Sequence, residues 1–342
     1  MRGTMFTIKA IQADYGDSLF VAYGPNQQDL RYMLIDGGTA DAAGNLLEVL
    51  AQHKVEGRLR LEALVVTHYD FDHIGGIIEL LKEPPSWLEI ADVWFNGRKH
   101  LIKTDVLGSE DGDMLSKQLE GRHPWNSAFG GKAIKSGAGK ITLEGGLDVW
   151  VVSPDQPRLT KLAAAWPKVT DRVEKPADVL GATDVWPPGA FTAVASRPFK
   201  KDTSVANGSS IALMLGFGGK LALLTGDAHP DVVLKGITIH WPSDRPKVSL
   251  LKLSHHGSKG NTSEQLLKAI ECDRYLISTN GDRFKHPDVT LFARILKVRK
   301  NPIFLFNYWV DRTVWWEKVP EGWPSFSSSY PESSALFKEV VI

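Results

Sequence analysis

The chain has 342 residues and carries 40 Lys+Arg against 40 Asp+Glu. That balance excludes the global positive field of many nucleic-acid binders, although a local basic patch is compatible with it. Cys272 is the single cysteine. It excludes an intramolecular disulfide framework and a cysteine-rich zinc knuckle, so a metal site must draw on His, Asp and Glu.

The N-terminal stretch lacks an apolar run of signal-peptide type, and no window approaches the roughly 20 apolar residues of a membrane span. The expectation is a cytoplasmic protein without a membrane anchor. "FTIKAIQA" and "SLFVAYG" are two predicted strands around the turn "DYGD". "RYMLIDGG" is a third, ended by Asp36-Gly37-Gly38. "AGNLLEVLAQHKV" has helical spacing. "LEALVVTH" is nearly continuously apolar, as a strand buried on both faces should be, and His68 stands at its end. A helix is predicted from "HIGGIIELLKE", and a strand from "IADVWFNG".

The pattern loosens between 98 and 204, apart from strand-like alternation in "ITLEGGLDVWVVSP". This stretch is expected to be a loosely structured insertion or cap between two halves of one domain spanning 1–342. "SSIALMLGFGGKLALLTGDA" predicts a hairpin. "VSLLKLSHHGS" predicts a buried strand ending in histidines, and "TSEQLLKAI" a helix capped by Thr262 or Ser263. Strand "RYLISTNG", helix "DVTLFARILKV" and strand "NPIFLFNYW" complete the series. Strands flanked by helices in each half imply two sheets packed face to face with helices outside. Most of the eleven tryptophans are assigned to packing.

The chemistry concentrates in "THYDFDHIGG", where His68, Asp70, Asp72 and His73 fall within six positions. A divalent cation needs several such donors converging at about 2.0–2.6 Å. Tyr69 and Phe71 are expected to point away and anchor the loop, and Gly75-Gly76 to let the backbone pass closely under the site. Asp227 ends the strand "LALLTGD", where a buried carboxylate is costly unless it pairs or binds metal. His255 and His256 end another strand, and Asp36 a third. His286, in "FKHPD", is a weaker candidate. His100, His123, His229 and His240 are assigned to the surface or to local hydrogen bonding.

"THYDFDHIGG" resembles the HxHxDH signature of the metallo-β-lactamase superfamily, with "LIDGG", "LLTGD" and "SHHGS" in the order that fold requires. Within it the chain is similar to the hydrolase domain of the competence protein ComEC. "ADYGDS" mirrors that subgroup's "VGQGDS", "NGSSIAL" its "N..SL", and "HHGS" is identical. The resemblance implies an α/β fold, a four-layer αββα sandwich with the irregular insertion, and two divalent ions, Zn or Mn. It places His68 and Asp70 on one ion, and Asp72 and His73 on a second completed by His255 or His256. His255 is slightly favoured because it lies nearer the strand end. Asp227 would bridge the two, and Asp36, Asn207 and Ser258 would support them from behind. Asp70 replaces the superfamily's second histidine, and Asn207 stands where a third would be. Both changes favour oxygen donors, which suit Mn²⁺ or Mg²⁺.

Two such ions suit in-line displacement at phosphorus. Catalytic roles would fall to Asp72 and Asp227, with His256, His286, Lys252 or Lys259 stabilising phosphate or leaving-group charge. Ser258 and the Gly257 backbone would meet a non-bridging oxygen. The leading expectation is a phosphodiesterase or nuclease acting on DNA, single-stranded in the subgroup. The alternatives are hydrolysis of a small molecule, such as a nucleotide second messenger, phosphoester or lactone, and a partner or sensor module in a multi-protein bacterial defence system.

Overall fold

Alternation along the first strands decides which way each side chain points. In β1 (Met5–Ile11), Phe6, Ile8 and Ala10 share one buried face, and in β2 (Leu19–Gly24) so do Leu19, Val21 and Tyr23. Phe20, Ala22 and Ile11 face the opposite way into a separate buried layer. In the computed structural model, which describes residues 4–101, 110–166 and 184–342, both layers are filled. The parts of the expected insertion at 102–109 and 167–183 lie outside the described residues.

The first sheet continues through β3 (Arg31–Ile35), β4 (Leu59–Val65), β5 (Leu88–Ile90) and β6 (Val93–Trp94). The second contains β7 (Ile141–Thr142), β8 (Asp148–Ser153), β9 (Ala212–Phe217), β10 (Lys220–Leu224), β11 (Leu250–Lys252), β12 (Arg274–Ile277), β13 (Ile303–Phe306) and β14 (Ser327–Ser329). A final strand, β15 (Phe337–Val341), returns to the first sheet. The order is β15-β1-β2-β3-β4-β5, with β6 also on β4, and β14-β13-β12-β11-β10-β9-β8-β7.

The inner faces meet in one core, where Ile8, Val21, Met33 and Val65 face Val149, Leu213, Ala222 and Leu250. The helices Ala43–Ala51 and Phe71–Lys82 cover the outside of the first sheet through Leu46, Val49, Ile74 and Ile77. Helices Pro230–His240, Glu264–Ala269 and Val289–Val298 cover the second through Val233, Leu266 and Phe292. This is the expected αββα sandwich. A bulge in the β3–β4 pairing, where Tyr32 opposes Leu61 but Met33 opposes Ala63, inserts Glu62 as an extra residue. It switches the side-chain parity: Leu59 and Leu61 face the helices before it, Leu64 and Val66 after it.

Three expectations change. The helix predicted from His73 begins at Phe71, so Asp72 and His73 occupy its first turn. "NPIFLFNYW" is not the last strand. β14 is three serines, which carry no apolar alternation, and β15 pairs antiparallel with β1, Thr7 opposite Val341. The helix Pro230–His240 was not expected, because Gly236 interrupts its helical signal. Of the two capping candidates, Ser263 caps its helix, accepting the Leu266 N–H at 3.2 Å. Among the described residues no helix is long and apolar enough to cross a membrane.

Candidate metal centre

Asp36 organises the first half of the site. It directly follows β3 and holds a left-handed backbone, with φ of 59°. Its carboxylate accepts the Thr67 N–H and hydroxyl, both at 2.7 Å, and lies 2.8 Å from His73 Nδ1. Thr67 follows β4 and precedes His68, so one buried carboxylate ties together two strand ends and a helix start. The helix can come this close because Gly76 is a glycine: a Cβ there would meet the Gly37 carbonyl oxygen at 2.1 Å. With Nδ1 engaged by Asp36, His73 turns Nε2 to Asp227 Oδ1 at 3.3 Å.

Asp70 is the N-cap residue of helix Phe71–Lys82, yet its side chain does not cap it. One carboxylate oxygen instead lies 3.5 Å from His68 Nε2. Tyr69 is buried against Trp166, an anchor as expected, whereas Phe71 is 39% exposed.

The second half comes from the ends of β10 and β11. Asp227 Oδ2 stands 4.0 Å from His68 Nε2 and 3.8 Å from Nε2 of both His255 and His256. His255, His256 and Gly257 all have positive φ, at 50°, 53° and 91°. Such strain in consecutive residues is typical of functional turns. It aims adjacent side chains in a way that strand periodicity does not foretell. The expectation put His255 ahead of His256 beside Asp72 and His73, but His256 Nε2 is the one that lies 3.2 Å from Asp72 Oδ2. His255 is held from behind, its Nδ1 3.2 Å from Asn261 Oδ1 and 3.4 Å from Asn207 Nδ2. Asp202 accepts from both of those amides, at 2.7 and 2.9 Å.

Asp17 lies in "ADYGDS", a motif to which the sequence assigns no ligand role. Its backbone N–H donates to the Asp72 carbonyl at 3.1 Å, and its Oδ1 lies 3.3 Å from His256 Nδ1. Its other oxygen pairs with Lys252. Gly16 makes that approach possible, since a Cβ there would lie 1.8 Å from the Asp72 carbonyl oxygen. Lys252 is fully buried in this pair, so it is not available to a phosphate. Ser258 is also fully buried, and its hydroxyl accepts the Gly260 N–H at 3.2 Å instead of facing the cluster. His286 is buried behind His255, ring centroids 5.2 Å apart, with Nδ1 3.4 Å from Asp288. Lys259 Nζ lies 3.5 Å from the same Asp288. His229, assigned to the surface or to local hydrogen bonding, is buried with Nε2 3.8 Å from Asp202.

Nε2 of His68, His73 and His256 and Oδ1 of Asp227 are buried and meet no hydrogen-bond partner among the described residues. Leaving such atoms unpaired costs stability in a protein interior. Ligand atoms of Asp17, His73, Asp227 and His256 lie within 4.8 Å of one another. Imidazole nitrogens and carboxylate oxygens at this density fit a divalent cation. The cluster is a candidate divalent-metal site.

Charges in the cluster compensate one another. Burial pushes the Asp227 carboxyl up, but the facing His73, His255 and His256 more than reverse this and hold it well below the usual range. Burial likewise opposes protonation of His256, yet Asp227 and Asp17 push it up to about 9. His73 is raised well above its ordinary value against burial, by Asp227 and Asp36. A bound cation takes over the role of these protons.

The family model of the metallo-beta-lactamase superfamily matches residues 15–86, which contain Asp17, Asp36 and the His68–His73 run. The resemblance to the metallo-β-lactamase superfamily holds. ComE operon protein 3 of Bacillus subtilis (strain 168) is 28% identical over 119 residues. That match spans 32% of this chain and 15% of the relative's length, and bears out the ComEC-like resemblance. The metallo-β-lactamase fold protein YhfI from Bacillus subtilis superposes with a TM-score of 0.41 at 10% identity, over 94% of this chain and 96% of YhfI. CmlA, a diiron β-hydroxylase from Streptomyces venezuelae, gives 0.43 at 9% identity, over 100% of this chain and 55% of CmlA.

Proposed function

We propose that the protein is a metal-dependent phosphodiesterase whose substrate is nucleic acid, DNA first. The observation that carries this reading is the convergence of three unpartnered imidazole Nε2 atoms on the buried Asp227 carboxylate. His68 and Asp70 would hold one cation, Asp72, His73 and His256 a second, and Asp227 would face both. When bound, such a pair supplies Lewis acidity and an activated water for in-line displacement at phosphorus.

The chain's own groups do the remainder. Asp36 fixes the His73 ring so that Nε2 faces inward. Asp17 does the same for His256 together with the Ser278 carbonyl, 2.9 Å from Nδ1. Asp202, through Asn207 and Asn261, steadies His255 beside Asp227. Asp72 would take a proton from the nucleophile. His286, packed on the His255 ring, would act through it. The oxygen-rich set, with Asp70 where a histidine is usual, favours Mn²⁺ over a purely nitrogen-ligated zinc site.

The test is turnover of methyl 4-nitrophenyl phosphate and of labelled single-stranded DNA by protein reloaded with Mn²⁺ or Zn²⁺, with ion content measured on the same samples. The expected result is cleavage that Asp227→Asn abolishes, with a parallel loss of bound ion. Absence of cleavage with either ion, or an Asp227→Asn protein as active as the wild type, overturns the reading.

A further inference from the structure

One side of the cluster is rimmed by groups that the metal chemistry does not use. The loop after β12 carries Arg283 and Phe284. Phe284 stands over the site's edge, its ring 5.9 Å from that of His255 and stacked at 6.2 Å on His286. Across from it is Tyr15, from the turn between β1 and β2, with the two rings edge-to-face at 5.7 Å. Tyr15 is fixed beside the metal ligands because its neighbours Gly16 and Asp17 pack on the Asp72 backbone. The Arg283 guanidinium lies 5.4 Å from the Tyr15 ring and 5.6 Å from the Phe284 ring. All three side chains are partly exposed. The pair stays partly exposed at the mouth of the cluster with a cation against it.

That combination has a chemical counterpart. An aromatic face stacks on a nucleobase irrespective of its identity, and an arginine beside it meets the adjoining phosphate. We infer that Tyr15, Phe284 and Arg283 form the element that selects nucleobase-bearing phosphodiesters, by stacking the base next to the phosphate held at the cluster. This rests on the phosphodiesterase reading, and it assigns substrate selection to residues outside the metal ligands. Base stacking and Arg283 attract a strand independently of the cations that the cluster would hold.

The rim is tested by binding, which needs no turnover. Fluorescence anisotropy compares a labelled phosphorothioate oligothymidylate with a phosphorothioate abasic strand of equal length on Mn²⁺-loaded protein, the phosphorothioate linkages keeping both strands charged and uncut. Wild type should bind the thymidylate about tenfold more tightly. Phe284→Ala should erase that preference and Phe284→Trp restore it. Arg283→Ala should weaken both strands and lower the slope of log affinity against log salt by about 0.7, whereas Arg283→Lys should keep the slope. Equal binding of the two strands by wild type, or a preference that survives Phe284→Ala, overturns the inference. Turnover of methyl 4-nitrophenyl phosphate, which has no base, separates the two ideas. If wild type cuts it while the strands bind alike, the rim assignment falls alone. If wild type cuts neither it nor unmodified single-stranded DNA while Phe284→Ala erases a base preference, the phosphodiesterase reading falls and the rim stands.

Discussion

The Lys252 ammonium lies against the Asp17 carboxylate, and both side chains are excluded from water. The two residues are 235 positions apart and come from opposite halves of the sandwich. The remaining Asp17 oxygen lies 3.3 Å from His256 Nδ1, so the ion pair also sets the angle of a histidine in the cluster.

Removing one partner of a buried pair strands the other's charge. Lys252→Met should therefore destabilise the protein by about 3–5 kcal/mol in urea titrations without metal, and Asp17→Asn in that background should recover much of the loss. A Lys252→Met cost below about 1 kcal/mol would show that the pair contributes nothing.

Asp36 acts on metal through His73. Asp36→Asn keeps an acceptor for the Thr67 N–H but weakens the contact that orients His73 Nδ1. The fold should persist, with an unchanged near-ultraviolet spectrum, while affinity for Mn²⁺ falls about 10- to 100-fold in a chelator competition. Unaltered affinity would detach Asp36 from the metal site.

Much of the site is written in short range. The apolar run "LEALVVTH" puts His68 at a strand end, and the ligand-rich turn after it needs only local spacing. What is not legible arises across the fold or from unusual backbone. Lys252 reads as a candidate to meet phosphate charge until the fold brings Asp17 to it. His255 and His256 are adjacent in sequence, and consecutive left-handed residues decide which of them meets Asp72. Asp202 lies in a weakly periodic segment, yet it accepts from two amides that border His255. β15 closes the first sheet with a pairing partner more than 300 positions away, a contact no local pattern can announce.

His100 should give the folded state an acid-sensitive component. Burial, then the charge of Lys99, pushes its imidazole from 6.5 down to about 4. Between those values the unfolded chain binds the proton and the folded chain does not, so stability is present above pH 6.5 and is lost as pH falls towards 4. His100→Phe retains an aromatic ring beside Trp125, where the native ring centroids are 4.6 Å apart. The variant's melting temperature should drop less than that of wild type between pH 7 and pH 4.5. An identical drop would show that His100 does not contribute.

The cluster straddles the seam of the sandwich: His68, His73 and Asp36 come from one sheet, Asp227, His255 and His256 from the other. Neither half owns a complete set of donors, so a cation captured here acts as a clasp between two separately layered bodies. Free cation concentration then becomes a mechanical variable, because occupancy adds to the adhesion of the two sheets by mass action. The loops at this edge should loosen together when the ion is withdrawn, including the turn that carries Tyr15 and the one that carries Phe284.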